Sequence, residues 1–334
     1  MKFKSSFFLI GLLACSLPLQ GELSGYLSFD FVKGQTDSFA SEGTFQKALI
    51  GLLFFGDLTP NLDYFAEARF KDETRLEMEQ ALLRIRPSRT FSLKLGLFLV
   101  PFGRYNTSNR PHQTVLVNPP LPVANFYPLS WRDIGLLVEG RWRGFFYSAY
   151  LGNGLGEGQN LSAGQQFRDN NKDKGKGVRG GLSLSQEFEA GFSYYQGRYD
   201  AKNERSLILK GVDLSWVAEG VYLLAEYTQA EISNPPGIDR GKAEGYFIQA
   251  SFDMGLLRPV GSYQKLNYRD VFHGQEFLPD LGGEGIDEDR SRWTLGIVYT
   301  ATANTFFKIE YEWNREKEIE VKNNLFLFQV ALSF

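Results

Sequence analysis

Apolar and polar positions alternate along most of this chain in segments of about ten residues, the length a tilted strand needs to cross a bilayer. Leu62, Tyr64, Ala66, Ala68 and Phe70 interleave with Asp63, Phe65, Glu67, Arg69 and Lys71, so one face is apolar and the other carries charge of both signs. The same two-residue period runs through 91–99, 145–151, 246–252, 293–299 and 307–313. Sixteen strands can be counted this way. Breaks between them alternate strictly between short ones, near 57, 87, 142, 186, 219, 254 and 302, and longer ones, near 38, 73, 115, 164, 202, 236, 279 and 318. A soluble sandwich predicts no such alternation. An all-β fold closed as a transmembrane antiparallel β-barrel does, with short inner turns, longer outer loops and an even strand number, and closure satisfies every backbone group in lipid without leaving an edge. Two strands read less cleanly: 78–86 is ambiguous in register, and Pro259 interrupts 256–268. Trp293, Tyr299, Phe306, Tyr311 and Trp313, near strand ends, suit interfacial girdles.

The long connection after Phe91–Leu99 breaks the pattern. Residues 100–131 contain Pro101, Pro111, Pro119, Pro120, Pro122 and Pro128, a density that predicts neither helix nor central strand. Val115, Leu116, Val117, Phe126, Tyr127 and Trp131 nevertheless require packing. The segment therefore reads as a loop folded into the barrel, the candidate constriction. Arg104, Arg110, His112 and Arg132 give it positive charge, and Arg69 and Lys94, on polar strand faces, join them as candidate constriction or selectivity residues. The connection 152–177 is glycine-rich without a phosphate-cradling pattern and reads as a solvated loop. The acidic stretch 280–290 lacks calcium-loop spacing and reads likewise.

Composition narrows the class. Lys2 and Lys4 precede an apolar run from Phe7 to Ala14 and small or polar residues to Gly21, so 1–21 reads as a signal peptide and 22–334 as the barrel. Cys15, the one cysteine, lies inside that leader; it loosely matches a lipoprotein cleavage box, with Leu13 a poor fit. Loss of Lys2 and Lys4 leaves 34 basic against 39 acidic residues, which argues against nucleic acid. The two histidines, His112 and His273, fall in outer loops and no GxSxG is present, so no catalytic residues, metal ligands or cofactors are assigned.

The last strand places Phe326, Phe328, Val330, Leu332 and Phe334 at alternate positions and ends the chain on Phe. It looks like the signal by which the outer-membrane assembly machinery recognises its substrates. The segments LKLGLFLVPFGRYNTSNRP, RDIGLLVEGR and FFYSAYLGNG resemble the phosphate-selective porin O and P family over 91–156. That resemblance implies a sixteen-stranded barrel, a homotrimer, and passage of small hydrophilic solutes or anions such as phosphate. Glu67, Glu226, Glu310 and Glu312 on lumenal faces, beside Arg69, Lys94 and Lys308, weigh against carrying its anion selectivity over directly. The expected surroundings are outer-membrane lipid and lipopolysaccharide. The reading is a water-filled diffusion channel; a plugged structural or adhesive barrel is the alternative, and a barrel-borne enzyme a third.

Overall fold

A computed structural model describes residues 21–334 except 73–74, 159, 186, 235–236, 238, 271–288 and 318. Residues 1–20 of the expected leader, Cys15 among them, His273 and most of the acidic stretch 280–290 lie outside the described residues, while Gly21, the leader's expected last residue, already opens the first strand. The strands are β1 (Gly21–Gly34), β2 (Thr44–Thr59), β3 (Leu62–Lys71), β4 (Arg75–Ser88), β5 (Phe91–Leu99), β6 (Arg132–Trp142), β7 (Phe145–Gly152) and β8 (Gly175–Ser183). They continue as β9 (Phe188–Arg198), β10 (Ser206–Ala218), β11 (Val221–Ile232), β12 (Gly241–Phe252), β13 (Leu257–Asp270), β14 (Arg290–Thr302), β15 (Thr305–Glu316) and β16 (Leu325–Ser333). Each pairs with its sequence neighbour and β1 pairs antiparallel with β16, closing a sixteen-stranded barrel.

Alternation sorts side chains between lipid and lumen. On β7, Phe145, Tyr147, Ala149 and Leu151 are exposed while Phe146, Ser148, Tyr150 and Gly152 are buried inside. The seam uses the terminal residue itself: Phe334 N donates to Gly25 O and Gly25 N to Phe334 O, both at 2.8 Å. The two unclear strands have local causes. On β4, Gln80 faces Glu67 and Met78 faces Ala68, so Glu79 is the extra residue of a bulge. Pro259 pairs with Ile297 of β14 but lies one position beyond the β12 ladder, which ends at Val260–Ser251, so its missing N–H is not needed there.

Three expectations are corrected. The proline-rich connection does hold a helix, α1 (Leu121–Phe126), because Pro122 sits in its first turn, where no backbone donor is required. The connection after β7 is not simply solvated: Leu155 and Leu161 are buried in the same apolar cluster as α1. Two isolated leucines among glycines carry no periodicity that would have marked them. Phe306 falls on the lumenal parity of Lys308 and Glu310, not among the lipid-facing aromatics.

Candidate functional site

The connection between β5 and β6 crosses the lumen, and it begins at the Pro101-Phe102-Gly103 corner. Gly103 adopts φ +62°, and a Cβ there would lie 2.5 Å from a Glu226 oxygen, so the corner needs glycine. Phe102 turns inward against Tyr127 and Trp131, with ring centroids 5.4 and 5.9 Å away. Backbone donors left without a ladder are met by side chains of the wall. Gly103 N donates to Ser193 Oγ on β9 at 3.0 Å, and Arg104 N and Tyr105 N donate to Glu226 Oε1 on β11 at 2.7 and 2.6 Å. Farther along, Val117 N and Asn118 N donate to the Glu310 carboxylate on β15 at 2.9 and 3.3 Å, and Leu121 N to Gln264 Oε1 on β13 at 2.9 Å. Lys308 Nζ donates to Pro111 O at 2.6 Å. Burial drives the Tyr105 and Tyr127 hydroxyls above the usual phenol range.

The loop divides the lumen unequally. Toward β7–β13 it buries Phe126, Tyr127 and Trp131 against Tyr150, Tyr195, Leu207, Leu209 and Phe247. Trp131 meets Tyr195 edge-on at 4.8 Å. Toward β1–β4 it meets charge. Glu67 accepts from Tyr26 Oη at 2.6 Å, Gln80 Nε2 at 3.1 Å, and Arg110 Nε and Nη2 at 3.0 and 2.7 Å. Arg69 bonds Tyr26 and Ser130 and lies 3.5 Å from Glu79, which Arg132 reaches at 3.2 Å. Both arginines are buried, 4% and 6% exposed, so they act as wall-to-loop ties in this conformation. His112 lies 5.1 Å from the Tyr26 ring. Burial first, then Arg110 and Lys308, push its pKa down to about 4, and the imidazole is neutral at pH 7.

Arg69, Arg110, His112 and Arg132 thus come together, whereas Lys94 faces a different space, to which Arg104 is connected through Glu189. Beneath Pro101 and Thr107, on the side of the short turns, opens a cavity of about 830 Å³ walled by β4–β8. Arg104, Arg141 and Arg179 converge on Glu189 at 2.9, 3.0 and 3.4 Å. Arg84 and Arg86 share Asp63 at 2.9 and 2.8 Å, and Lys94 pairs with Glu139 at 2.7 Å. The Arg141 and Arg179 guanidiniums lie over the Phe146 ring, 5.5 and 4.6 Å from its centroid. Charge facing the water is lopsided: the Arg104 and Arg141 side chains are 42% and 63% exposed, against 10% for Glu189. Sequence reasoning did not single out Arg84, Arg86, Arg141, Arg179 or Glu189. Their only possible signal was parity, and it was blurred by the ambiguous register of 78–86 and by the turn expected at 142.

A closed barrel with an apolar exterior, a charged lumen and a loop bonded across it defines a channel-type protein of a bacterial outer membrane. The chain belongs to the Gram-negative porin family, whose model matches residues 16–318. It is 26% identical over 293 residues to an uncharacterized protein of Aquifex aeolicus, covering 81% of this chain but 64% of that protein. Among solved structures it superposes on the anion-selective porin from Comamonas acidovorans with a TM-score of 0.69 at 12% identity, covering 94% of this chain and 99% of that one. OmpF of Salmonella typhi gives 0.68 at 16% identity, covering 95% and 98%. The trimer form of OmpT from Vibrio cholerae gives 0.67 at 11%, covering 94% and 99%. At such identities the likeness is one of fold.

Proposed function

We propose that the protein is a homotrimeric outer-membrane porin that passes small hydrophilic solutes and prefers anions. One observation carries the preference. Glu226 and Glu310 are buried and occupied by loop amides and Glu67 by Arg110, whereas Arg84, Arg86 and Arg141 line the water-filled cavity beside the single pair Lys94–Glu139, and the half-exposed Arg104 joins them through Glu189. The negative charge of the whole chain is therefore not the charge a permeating ion meets. Fixed local charges of one sign raise the concentration of the opposite ion in a narrow space. The fold shared with an anion-selective porin supports the reading, as does the trimer form of a similar barrel.

The loop at 100–131 acts as the constriction, with Arg104 at its lower rim and the Glu67–Arg110 contact at its upper one. In planar bilayers under a KCl gradient the reversal potential is expected to show chloride more permeant than potassium. Substitution R104Q/R141Q should bring the permeability ratio toward unity; an unchanged ratio would refute the assignment. Block by added phosphate would extend the kinship to the phosphate-selective porins. A plugged barrel draws support from the apolar filling of the β7–β13 side, and absence of conductance from a folded trimer would favour it.

A further inference from the structure

The connection between β7 and β8 closes on itself at its neck. Gly152 pairs with Gly175, and a Cβ on Gly154 would lie 3.0 Å from Gly175 Cα and 2.9 Å from the Tyr195 hydroxyl, so the two ends of the loop touch across glycines. From that neck the chain turns over the lumen instead of away from the barrel. Leu155 N donates to Tyr195 Oη at 3.0 Å. The Leu155 and Leu161 side chains enter the apolar cluster that holds Phe126, Tyr127 and Trp131, and a single helical turn at Leu161–Ala163 packs on α1.

Polar contacts hold this loop on both flanks. Toward β6, the buried Asp133 carboxylate accepts from Asn153 N and Gly154 N at 2.9 and 2.8 Å, and from Ile134 N at 2.8 Å. Arg132 N donates to Gln165 Oε1 at 3.2 Å, Gln165 Nε2 donates to Arg132 O at 2.7 Å, and Phe167 lies over the Arg132 guanidinium, 5.2 Å from ring centroid to Cζ. Toward the connection between β9 and β10, Glu157 pairs with Arg205, which lies 5.0 Å from the Tyr199 ring centroid. Asn170 Nδ2 and Asn171 Nδ2 donate to Tyr199 O and Arg198 O at 2.9 and 2.8 Å. Amides of a loop open to water need no buried carboxylate, and here one is supplied at the neck.

We infer that the connection between β7 and β8 is a second size-determining element of the channel, a cover seated on the β7–β13 half of the lumen, with Asp133 as its positioning residue. Leu155 and Leu161 complete the apolar filling that the loop at 100–131 begins, so that half stays shut only while the cover is seated. Asp133 sets the seat because both of its oxygens are taken by the neck, Oδ1 by Asn153 N and Oδ2 by Gly154 N. An asparagine there keeps one acceptor and turns an NH2 group toward backbone donors. With the cover unseated, solutes too large for the remaining bore would pass. The inference rests on the channel reading and adds to it a second loop that decides which solutes fit.

Three variants of the refolded full-length barrel test it. Excision of 155–174, with a short glycine link across the touching neck, removes the cover; L155S/L161S keeps its polar ties and removes its apolar seat; D133N keeps the seat and weakens the neck. Swelling of proteoliposomes in neutral sugars of increasing size reads the bore. All three variants are expected to admit tri- and tetrasaccharides faster relative to a monosaccharide than the unaltered protein does, the excision most and D133N least. Hydrogen exchange at Asn153 and Gly154 reads the hold without any flux, and D133N should speed it on the order of tenfold, through loss of a hydrogen bond to a buried carboxylate. If the unaltered protein passes the monosaccharide and none of the variants shifts the size dependence, the cover is overturned and the channel reading stands. If the unaltered protein passes nothing, the channel reading fails; the cover then stands where the excision variant conducts and falls where it does not. Unchanged exchange in D133N would overturn the role of Asp133.

Discussion

The two sides of the lumen hold one loop by different physics. Toward β7–β13 the hold is apolar and non-directional: Phe126, Tyr127 and Trp131 fill space against inward-facing aromatic and aliphatic residues of the wall, joined by Leu155 and Leu161 from the next loop. Toward β1–β4 it is charged and directional: Arg110 of the loop pairs with Glu67 of β3, and Arg69 of β3, itself beside Glu67 and Glu79, donates to Ser130 of the loop. The apolar side therefore sets how much of the bore is left open, and the charged side sets where the loop edge stops. In the proposed channel the loop's position is thus fixed by residues other than Arg104 and Arg141, to which the anion preference is assigned.

Substitutions can break that division from either side. Trp131→Ala removes the largest fully buried side chain of the cluster and should cost about 4 kcal/mol, judged from buried Trp-to-Ala changes elsewhere. Urea midpoints of the refolded barrel would read that loss. Single-channel conductance should rise as the filled side loosens, with the anion-to-cation ratio unaltered. A changed ratio at constant conductance would show that the two sides are not separable.

Arg69→Met attacks the other side. It leaves Glu79 and Glu67 each short of a donor in a buried setting, and removing one member of a buried pair costs about 3 kcal/mol or somewhat more. Because Arg69 also donates to Ser130, the end of the loop should loosen along with the waist. The expected result is a lower urea midpoint with noisy, flickering conductance, in contrast to the steadily larger openings of Trp131→Ala. Indistinguishable current records for the two variants would remove the contrast.

Much of this was legible in the sequence, and the limit is physical. Alternation identifies a strand and its lumenal face from neighbours in the chain alone, so sixteen strands and the polar parity of Glu67 and Arg69 could be read locally. What meets what could not. Glu226 receives Arg104 and Tyr105 from 121–122 residues away, and Glu310 receives Val117 from 193 away. Those partners are fixed only when the barrel has closed and the loop has crossed it. Glu79 was obscured for a related reason: a bulge shifts the parity that would have declared it lumenal.

The smallest expected effect is also the most local. His112 sits at the charged edge of the loop, against Tyr26 and between Arg110 and Lys308. Its folded-state pKa of about 4 lies below the ordinary histidine value of 6.5, so the unfolded chain binds the proton first as pH falls. Stability contributed by the neutral imidazole is full above pH 6.5, declines between 6.5 and 4, and is exhausted below about 4. His112→Gln should lack that decline while sharing the steeper loss below pH 4 that protonating carboxylates produce. Urea midpoints of the two proteins, taken in half-unit steps from pH 7.5 to 3.5, should run parallel above 6.5 and converge below it, with His112→Gln the shallower. Parallel curves throughout would mean that the imidazole is not desolvated in the folded barrel, and the charged edge of the loop would then be open to water at that point.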